Sequence, residues 1–366
     1  MWQHMYSFAK QVLQRGYSVS YLISNEYQWM NEQHGEIAHY TSTSFNLTSM
    51  LCDVISFLGC KGNNYRFIFR QSPPSGILFV SWHPLNFLLM RLVKSLYPDV
   101  PIIIWVHEPY KDEKKLYGGK VIIIHLVEFF QSFCWRYIDV AIFHSFRAVR
   151  LFELRYPHFR GQKKMIPLQF CDDGPEEKQG RRYFSFLGRA DQAKGIDFFF
   201  KLLEAAVQDG MEVEFQIVTS SSIDNYLAKL SPQALQKLRV INSTRISDAE
   251  LRNAAGNSLA VFALYKETTQ SGVTPISLMK GTPIIGTNIE GITEWVNDGD
   301  TAVIVSDNPT ITEINTAILR IQKDFHHMTV RCRNLYLKTF DESNWDRYYG
   351  WIKELIPVGT KGVQNN

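Results

Sequence analysis

The segment from Phe186 to Gly195 brings two cationic side chains to the exit of a predicted strand. Its sequence is FLGRADQAKG, in which an apolar run ends at Gly188 and Arg189 and Lys194 precede a predicted helix. Guanidinium and ammonium groups at the carboxyl end of a parallel strand can stabilise the charge of a departing nucleoside diphosphate without proton transfer. Because two solvated cations beside a strand-to-helix turn would look the same, this segment alone indicates only a candidate anion site.

A second segment whose residues could bind a substrate runs from Leu264 to Asp300. A turn that contains Ser271 and Gly272 precedes a predicted helix that ends near Gly281. The first amide groups of a helix have no partner within the helix and can donate to a phosphate or a sugar hydroxyl. Glu267 could accept hydrogen bonds from a sugar, although a plain surface carboxylate explains this residue equally well.

Histidines follow two predicted strands in the first half of the chain. His83 and His107 both stand where a strand ends, which is where open α/β sheets bind ligands. Either imidazole could contact a sugar or orient an acceptor hydroxyl, and His107 with Glu108 could form a polar pair. A buried histidine bonded to a backbone carbonyl is the alternative for both. His144, at a third strand exit, is a weaker candidate.

Alternating strands and helices must position these residues. Short apolar runs predict buried parallel strands at Ser18–Ile23, Gly76–Ser81, Ile102–Val106, Val140–Phe143, Tyr183–Leu187, Val213–Val218, Leu259–Ala263 and Pro283–Gly286. Helical patterns lie at Met5–Gln14, Ile196–Gln208, Asp248–Ala255 and Ile311–Lys323. The alternation predicts an α/β protein with two doubly wound, Rossmann-like domains that face a cleft.

The chain has 366 residues, enough for two domains that each bury a core. A polar stretch with Gly and Pro predicts the linker, and an aromatic helical pattern near the end predicts a closing helix that crosses back. The predicted divisions are a first domain 1–171, a linker 172–182, a second domain 183–340, and a closing helix and tail 341–366. A helical pattern begins within a few residues of Met1. Either the usual first strand is missing or the printed start lies downstream of the natural one.

Together, the two segments of the second half resemble the nucleotide-binding half of the retaining GT-B glycosyltransferases of family 4. The matching residues are Gly188, Arg189, Lys194 and Gly195, then Glu267 to Val273, then Gly281, Thr282 and Pro283, then Glu290, Gly291 and Glu294. Their order and spacing agree over roughly 120 residues, which is far more specific than any single piece. The donor-site turn is the TQSGV variant of the family's glycine turn.

The resemblance implies roles for individual residues. Arg189 and Lys194 would hold the diphosphate, and Glu267 would hold a sugar hydroxyl. The amides near Gly272 and Val273 would hold the transferred sugar or its phosphate. The implied catalytic residues are Arg189, Lys194, Glu267 and His107, and the implied donor-binding residues are Gly188, Ser271, Gly272, Val273, Thr274 and His83.

Two positions depart from the family pattern. The second glutamate of the family, which holds the ribose, would fall near Ile276 or Ser277. The turn after the strand Val213–Val218 is Thr219–Ser222 where the family has glycines. Recognition of the ribose and of the base is therefore expected to differ.

Composition and charge bear on whether the protein binds nucleic acid or a membrane. The net charge is +3, which does not suggest nucleic acid, and no apolar stretch is long enough for a membrane-spanning helix. The five cysteines are scattered and no secretory signal is visible, so we expect a cytoplasmic protein. The first half is locally basic, and such runs are usually solvated faces; the alternative is peripheral contact with anionic lipids on the inner face of the membrane. The basic residues are Lys111, Lys114, Lys115, Lys120, Arg160, Lys163 and Lys164.

The resemblance implies transfer of a hexose-type sugar from a nucleotide diphosphate donor to a saccharide or lipid-linked saccharide. The resemblance implies retention at the anomeric carbon and a place in bacterial surface polysaccharide synthesis. No DxD pair follows a strand, so neither a metal nor any cofactor beyond the donor substrate is expected. One alternative is a nucleotide-sugar epimerase, which would need carboxylate bases around the sugar. Another is a catalytically degenerate GT-B subunit that binds a partner enzyme.

Overall fold

The computed structural model describes most of the chain, in ten ranges. They are 2–19, 21–24, 37–41, 52, 54–71, 73–80, 82–83, 85–109, 121–175 and 180–357. Contacts between residues divide the chain into two compact units. Unit 1 consists of Met1–His4, Ser145–Arg147 and Pro167–Asn344, and unit 2 consists of Met5–His144, Ala148–Ile166 and Trp345–Asn366.

Strands and helices alternate through the described ranges. The strands are β1 (Tyr21–Ser24), β2 (Ile37–Thr41), β3 (Ile77–Phe79), β4 (Ile102–Val106), β5 (Val140–Phe143), β6 (Gln162–Met165), β7 (Tyr183–Leu187), β8 (Glu214–Thr219), β9 (Leu238–Asn242), β10 (Ser258–Ala263), β11 (Ile284–Thr287) and β12 (Ala302–Val305). The α-helices are α1 (Trp2–Gln14), α2 (Gly62–Gln71), α3 (Leu85–Leu96), α4 (Val121–Cys134), α5 (Phe146–Arg155), α6 (Ile196–Gln208), α7 (Asp224–Leu227), α8 (Pro232–Gln236), α9 (Asp248–Gly256), α10 (Val273–Met279), α11 (Glu290–Thr293), α12 (Ile311–Thr339), α13 (Trp345–Tyr349) and α14 (Ile352–Leu355).

Unit 2 contains a four-stranded parallel sheet in the order β3-β4-β5-β6. Every residue of β4 and β5 is buried, as expected for central strands that helices cover. The core on this sheet includes Ile104, Phe143, Phe152 and Trp135. The predicted strand at Ser18–Ile23 corresponds to β1, which pairs with β2 in a separate two-stranded parallel sheet.

Unit 1 contains a six-stranded parallel sheet in the order β12-β11-β10-β7-β8-β9. This is the strand order of a dinucleotide-binding Rossmann fold, with the chain reversing direction across the sheet between β7 and β10. Ligands of such sheets bind beyond the carboxyl ends of the strands at this switch point. The two candidate segments of the sequence analysis follow β7 and β10 and leave the sheet at this point. The predicted class, α/β with parallel sheets, is confirmed.

Several strands were not predicted from the sequence, and most of them lie at sheet edges. β6, β9 and β12 are edge strands, and β2 belongs to the two-stranded sheet. β6 has the sequence QKKM and β9 is largely exposed. Because the edge strands β6 and β9 have solvent on one side, they do not need the continuous apolar run by which buried strands are recognised. β12, with the sequence AVIV, has such a run and was missed.

The end of the chain differs from the predicted single closing helix over 341–356. Within 341–357, a short 3₁₀ turn leads into α13 and α14, which Gly350 and Trp351 separate. Both helices belong to unit 2, where the Phe8 ring contacts Trp345 in a tilted arrangement and Tyr349 edge to face, at 4.9 and 5.2 Å between ring centroids. α12 is also longer than predicted, with 29 residues. The stretch 172–182, predicted as the linker, falls within unit 1.

Candidate functional site

Gly188 joins the two candidate segments of unit 1. Its φ of +92° is a conformation that favours glycine, and its N–H donates to the carbonyl of Val218 on the neighbouring strand at 2.9 Å. A β-carbon on Gly188 would lie 3.5 Å from the Cγ2 atom of Val273. The exit of β7 is therefore in van der Waals reach of the first residue of α10.

Arg189 is held by a neighbouring carboxylate. Its Nε atom donates to Oδ2 of Asp191 at 2.6 Å, while 63% of the Arg189 side chain is exposed. The other carboxylate oxygen of Asp191 accepts from the N–H of Lys194 at 3.0 Å. Asp191 thus caps the short 3₁₀ turn Gln192–Lys194 and orients Arg189 at the same time.

Lys194 lies against the loop that follows β10. Its Nζ atom is 3.7 Å from the centre of the Tyr265 ring and 3.4 Å from Oγ1 of Thr268. Gly195 has a φ of +77°, and a β-carbon there would overlap the carbonyl oxygen of Leu264. Only glycine permits this approach of the two loops, so Gly195 lets Lys194 reach its partners.

The TQSGV turn is organised by hydroxyl groups. The hydroxyl groups of Tyr265 and Ser271 lie 3.0 Å apart, and Ser271 Oγ also accepts from the N–H of Val273 at 3.3 Å. The amide of Val273, expected to meet the sugar phosphate, therefore already has a side-chain acceptor. Thr274 is 2% exposed and faces the interior.

Glu267 lies half-buried in the same loop. The next residue, Thr268, donates its hydroxyl proton to the carbonyl of Gln270 at 2.6 Å. A β-carbon on Gly291 would overlap the carbonyl oxygen of Thr268, so the turn at Gly291 packs directly on the loop that carries Glu267. Burial raises the pKa of Glu294, the last residue of the matching motif, to about 7.

The residues at the positions that depart from the family pattern make contacts within the protein. Ile276 and Ser277 are 5% and 0% exposed, and the Ser277 hydroxyl donates to the carbonyl of Val273 at 2.9 Å. In the serine turn after β8, Oγ of Ser221 accepts from the N–H of Ala190 at 3.0 Å. That serine therefore braces the residue next to Arg189.

The candidate histidines belong to unit 2. The register that pairs Val106 with Phe143 sets His107 beside His144, and their rings stack at 4.9 Å. His144 donates from Nδ1 to the carbonyl of Ile166 at 2.8 Å, and its burial lowers its pKa to about 4. Burial also lowers the pKa of His107 well below its usual value.

His83 has a structural contact of its own. Its Nδ1 atom accepts from the N–H of Leu85 at 3.0 Å, at the start of α3. The imidazole therefore contributes to the N-terminal cap of that helix, since it satisfies one of the first amide groups.

The sequence analysis did not single out Asp191 and Tyr265. Asp191 had a recognisable signal, because an aspartate three residues before Lys194 at a helix start is a typical N-terminal cap. Tyr265 had none, since one aromatic residue after an apolar strand is usually core.

A family model covers part of the chain. Residues 181–324 match the model described as Glycosyl transferases group 1. Among curated protein sequences, none matches the chain. The matched range contains β7 to β12 and therefore the whole set of contacts around Arg189, Lys194 and Ser271.

Solved structures resemble a larger part of the chain. TarM of S. aureus, solved with UDP, is 13% identical at a TM-score of 0.63, over 80% of this chain and 58% of that chain. Sucrose-phosphate synthase from Thermosynechococcus elongatus is 12% identical at a TM-score of 0.70, over 96% and 91%. Anabaena HepE, solved with UDP and glucose, is 11% identical at a TM-score of 0.68, over 96% and 95%.

The chain thus spans less than two thirds of the length of TarM and nearly all of the other two proteins. These likenesses show the GT-B fold, with its two Rossmann-like units. The family match over residues 181–324 is the finding that points to glycosyl transfer.

Proposed function

We propose that this protein is a glycosyltransferase of GT-B fold that moves a hexose-type sugar from a nucleotide diphosphate donor to a saccharide or lipid-linked saccharide acceptor. One observation carries the proposal. At the switch point of the unit 1 sheet, the ammonium of Lys194 lies 3.4 Å from Thr268 Oγ1, in the loop that leads to the Ser271 turn. Cations and hydroxyl groups therefore converge where a Rossmann sheet binds phosphates.

The donor is a nucleoside diphosphate sugar. Arg189 and Lys194 bind the diphosphate, and Arg189 exchanges its Asp191 partner for a phosphate oxygen. Glu267 accepts from a sugar hydroxyl, and Gly188 and the Ser271–Val273 turn line the donor. A UDP sugar is the first candidate, because HepE and TarM, which share the fold, were solved with UDP.

Transfer proceeds with retention at the anomeric carbon. The bond between that carbon and the donor phosphate oxygen breaks, and the acceptor oxygen bonds to the same face of the sugar. The leaving phosphate oxygen takes the acceptor proton, so that no side-chain nucleophile is needed. Arg189 and Lys194 contribute by stabilising the charge that gathers on the leaving group.

The acceptor binds to unit 2, where His107 is the residue that contacts it. Burial keeps this imidazole neutral near pH 7, because its pKa is well below the usual value. A neutral imidazole can accept a hydrogen bond from a sugar hydroxyl with one nitrogen and donate with the other. We place the reaction in the synthesis of a bacterial surface polysaccharide.

The protein is cytoplasmic and touches the inner face of the membrane from the side of unit 2. Within the described ranges, no helix combines the length and apolarity that crossing a bilayer requires. α2 presents Phe67, 61% exposed, between the exposed side chains of Arg66 and Arg70. An apolar side chain flanked by cations suits the interface of an anionic bilayer.

The reaction uses no metal and no cofactor beyond the donor. The adjacent acidic residues Asp172 and Asp173 already have cationic partners. Arg333 donates to Asp172 Oδ1 at 2.7 Å, and Lys280 lies 2.8 Å from Asp173 Oδ1. Because both carboxylates are paired with cationic side chains, we assign them a structural role and not that of metal ligands.

A degenerate GT-B subunit is the second candidate. Ile276 and Ser277 are buried where a ribose-binding glutamate is expected, which favours a subunit that has lost its donor. Calorimetry with nucleotides separates the two, since a degenerate subunit binds none.

The proposal is tested by screening UDP, GDP and ADP sugars for a rise in thermal stability, followed by a transfer assay with the donor that binds. We expect one donor to stabilise the protein and its sugar to reach a saccharide acceptor. Absence of stabilisation by every donor, with no transfer, would reject it.

A further inference from the structure

Tyr265 is the residue around which the candidate donor site is organised. Its side chain is 2% exposed and packs in the core cluster that contains Leu187, Val218 and Ala263. The hydroxyl of Thr287 on β11 donates to its carbonyl at 2.7 Å. Core packing and this hydrogen bond hold the ring in one position at the carboxyl edge of the sheet.

The face of the ring meets a cation. The ammonium of Lys194 lies 3.7 Å from the ring centre, which is the geometry of a cation–π contact. The N–H of Lys266 donates to the carbonyl of Ala193 at 2.9 Å, so the backbones that carry the two side chains are also tied together. The face of the ring therefore attracts the ammonium and helps to hold it in place.

The hydroxyl of the same ring meets the TQSGV turn. It lies 3.0 Å from Oγ of Ser271, and that oxygen also accepts from the N–H of Val273 at 3.3 Å. Burial raises the pKa of Tyr265 to about 12, so its O–H stays protonated and can donate. Either hydroxyl can donate in the pair of Tyr265 and Ser271. When Tyr265 donates, the Ser271 oxygen accepts from two donors and keeps its own hydroxyl proton for a third partner.

We propose that Tyr265 is a positioning residue for two phosphate-binding groups, holding the Lys194 ammonium with its ring face and directing the Ser271 hydroxyl proton outward with its own hydroxyl. Its ligand is the diphosphate of the donor, so this inference rests on the proposed function. The ring acts on affinity through Lys194, and the hydroxyl acts on turnover through Ser271.

The two roles separate in two variants. Tyr265→Phe keeps the ring face, so we expect the dissociation constant of UDP, or of whichever of UDP, GDP and ADP binds best, to stay within about twofold. We expect the kcat of Tyr265→Phe to fall about tenfold, and that of Ser271→Ala to fall equally. The double variant Tyr265→Phe with Ser271→Ala should show no further loss of kcat. Tyr265→Leu removes the ring face and should weaken nucleoside diphosphate binding by about tenfold.

Tyr336→Phe is the matched control. Tyr336 is a fully buried tyrosine of the same unit, and its hydroxyl donates to the carbonyl of Phe170 at 3.0 Å. It reports what the loss of a buried hydroxyl does through stability alone, and we expect normal affinity and kcat. Circular dichroism and thermal unfolding are measured for every variant.

Equal losses of affinity in Tyr265→Phe and Tyr265→Leu would reject the inference. It would also be rejected if both variants kept normal affinity and kcat, as is expected of Tyr336→Phe. If Tyr265→Leu does not fold, the comparison of Tyr265→Phe, Ser271→Ala and their double variant decides, because additive losses of kcat contradict the shared role. A wild-type protein that neither binds UDP, GDP or ADP nor transfers a sugar would instead refute the proposed function.

Discussion

The α-carbon of Gly195 lies so close to Leu264 that a β-carbon on the glycine would overlap the carbonyl oxygen of the leucine. This approach joins the turn after β7 to the loop after β10. Lys194 precedes the glycine and Tyr265 follows the leucine, so the contact also sets the distance between the ammonium and the ring. The stability of the fold and the geometry of the candidate site therefore depend on the same glycine.

Replacing Gly195 by alanine should destabilise unit 1 by about 2 to 4 kcal/mol, because both the positive φ and the overlap oppose a β-carbon. Urea unfolding measures the change. Gly210→Ala is the control, since Gly210 has a φ of +65° but a β-carbon there would meet no atom of the described residues within 4 Å, its chain neighbours apart. We expect a loss of only about 1 kcal/mol there. Equal losses would show that the contact with Leu264 does not matter.

Replacing Arg189 by alanine should lower kcat/KM by about 100-fold or more, because the leaving diphosphate loses a cation. Arg182→Ala is the matched control on the other end of β7. Arg182 is 58% exposed and donates to Glu214 at 2.8 Å, much as Arg189 pairs with Asp191. Steady-state rates close to wild type in both variants would remove Arg189 from the mechanism.

The stability of the protein should fall as the pH drops from about 6.5 towards 4. Burial lowers the pKa of His144 to about 4, so the unfolded chain binds its proton first as the pH decreases. Protonation of the unfolded state alone favours unfolding, by roughly 3 kcal/mol over this range. In His144→Asn, urea unfolding from pH 4 to 7.5 should show a shallower decline. An unchanged slope would mean that other groups govern acid stability.

Replacing Arg66 and Arg70 together by glutamine should weaken binding to vesicles that contain phosphatidylglycerol by about 10- to 30-fold, since each basic residue near an anionic surface contributes about 1 kcal/mol. Co-sedimentation measures the binding, with phosphatidylcholine vesicles as the uncharged reference. Lys201→Gln with Lys229→Gln removes the same charge from unit 1 and should bind normally. Equal weakening in both double variants would mean that net charge, and not this face, attracts the lipid.

Transfer should continue after treatment with EDTA and dialysis, because the charge on the diphosphate is met by Arg189 and Lys194. The rate of sugar transfer is compared before and after treatment and after adding Mn²⁺ or Mg²⁺. Loss of activity with EDTA and its return with either metal would contradict the metal-independent mechanism.

Local patterns were sufficient for the central strands and for the two cationic residues. β4, β5, β7 and β10 are buried and apolar almost throughout, and buried parallel strands need such runs. The edge strands β6 and β9 have no such requirement, and their sequences carried no signal. Gly188 and Gly195 were recognisable because strand-to-helix turns with positive φ favour glycine.

The sequence by itself determined the α/β class, the buried strands and the cations that follow β7, because apolar runs and glycine turns depend on neighbours along the chain. Only the tertiary structure decided that Lys194 meets Tyr265 and Thr268 and that Asp191 holds Arg189. Lys194 and Thr268 are 74 positions apart in the chain, and they meet because β7 and β10 are adjacent in the sheet. That adjacency follows from how all six strands pack together, which no local pattern contains.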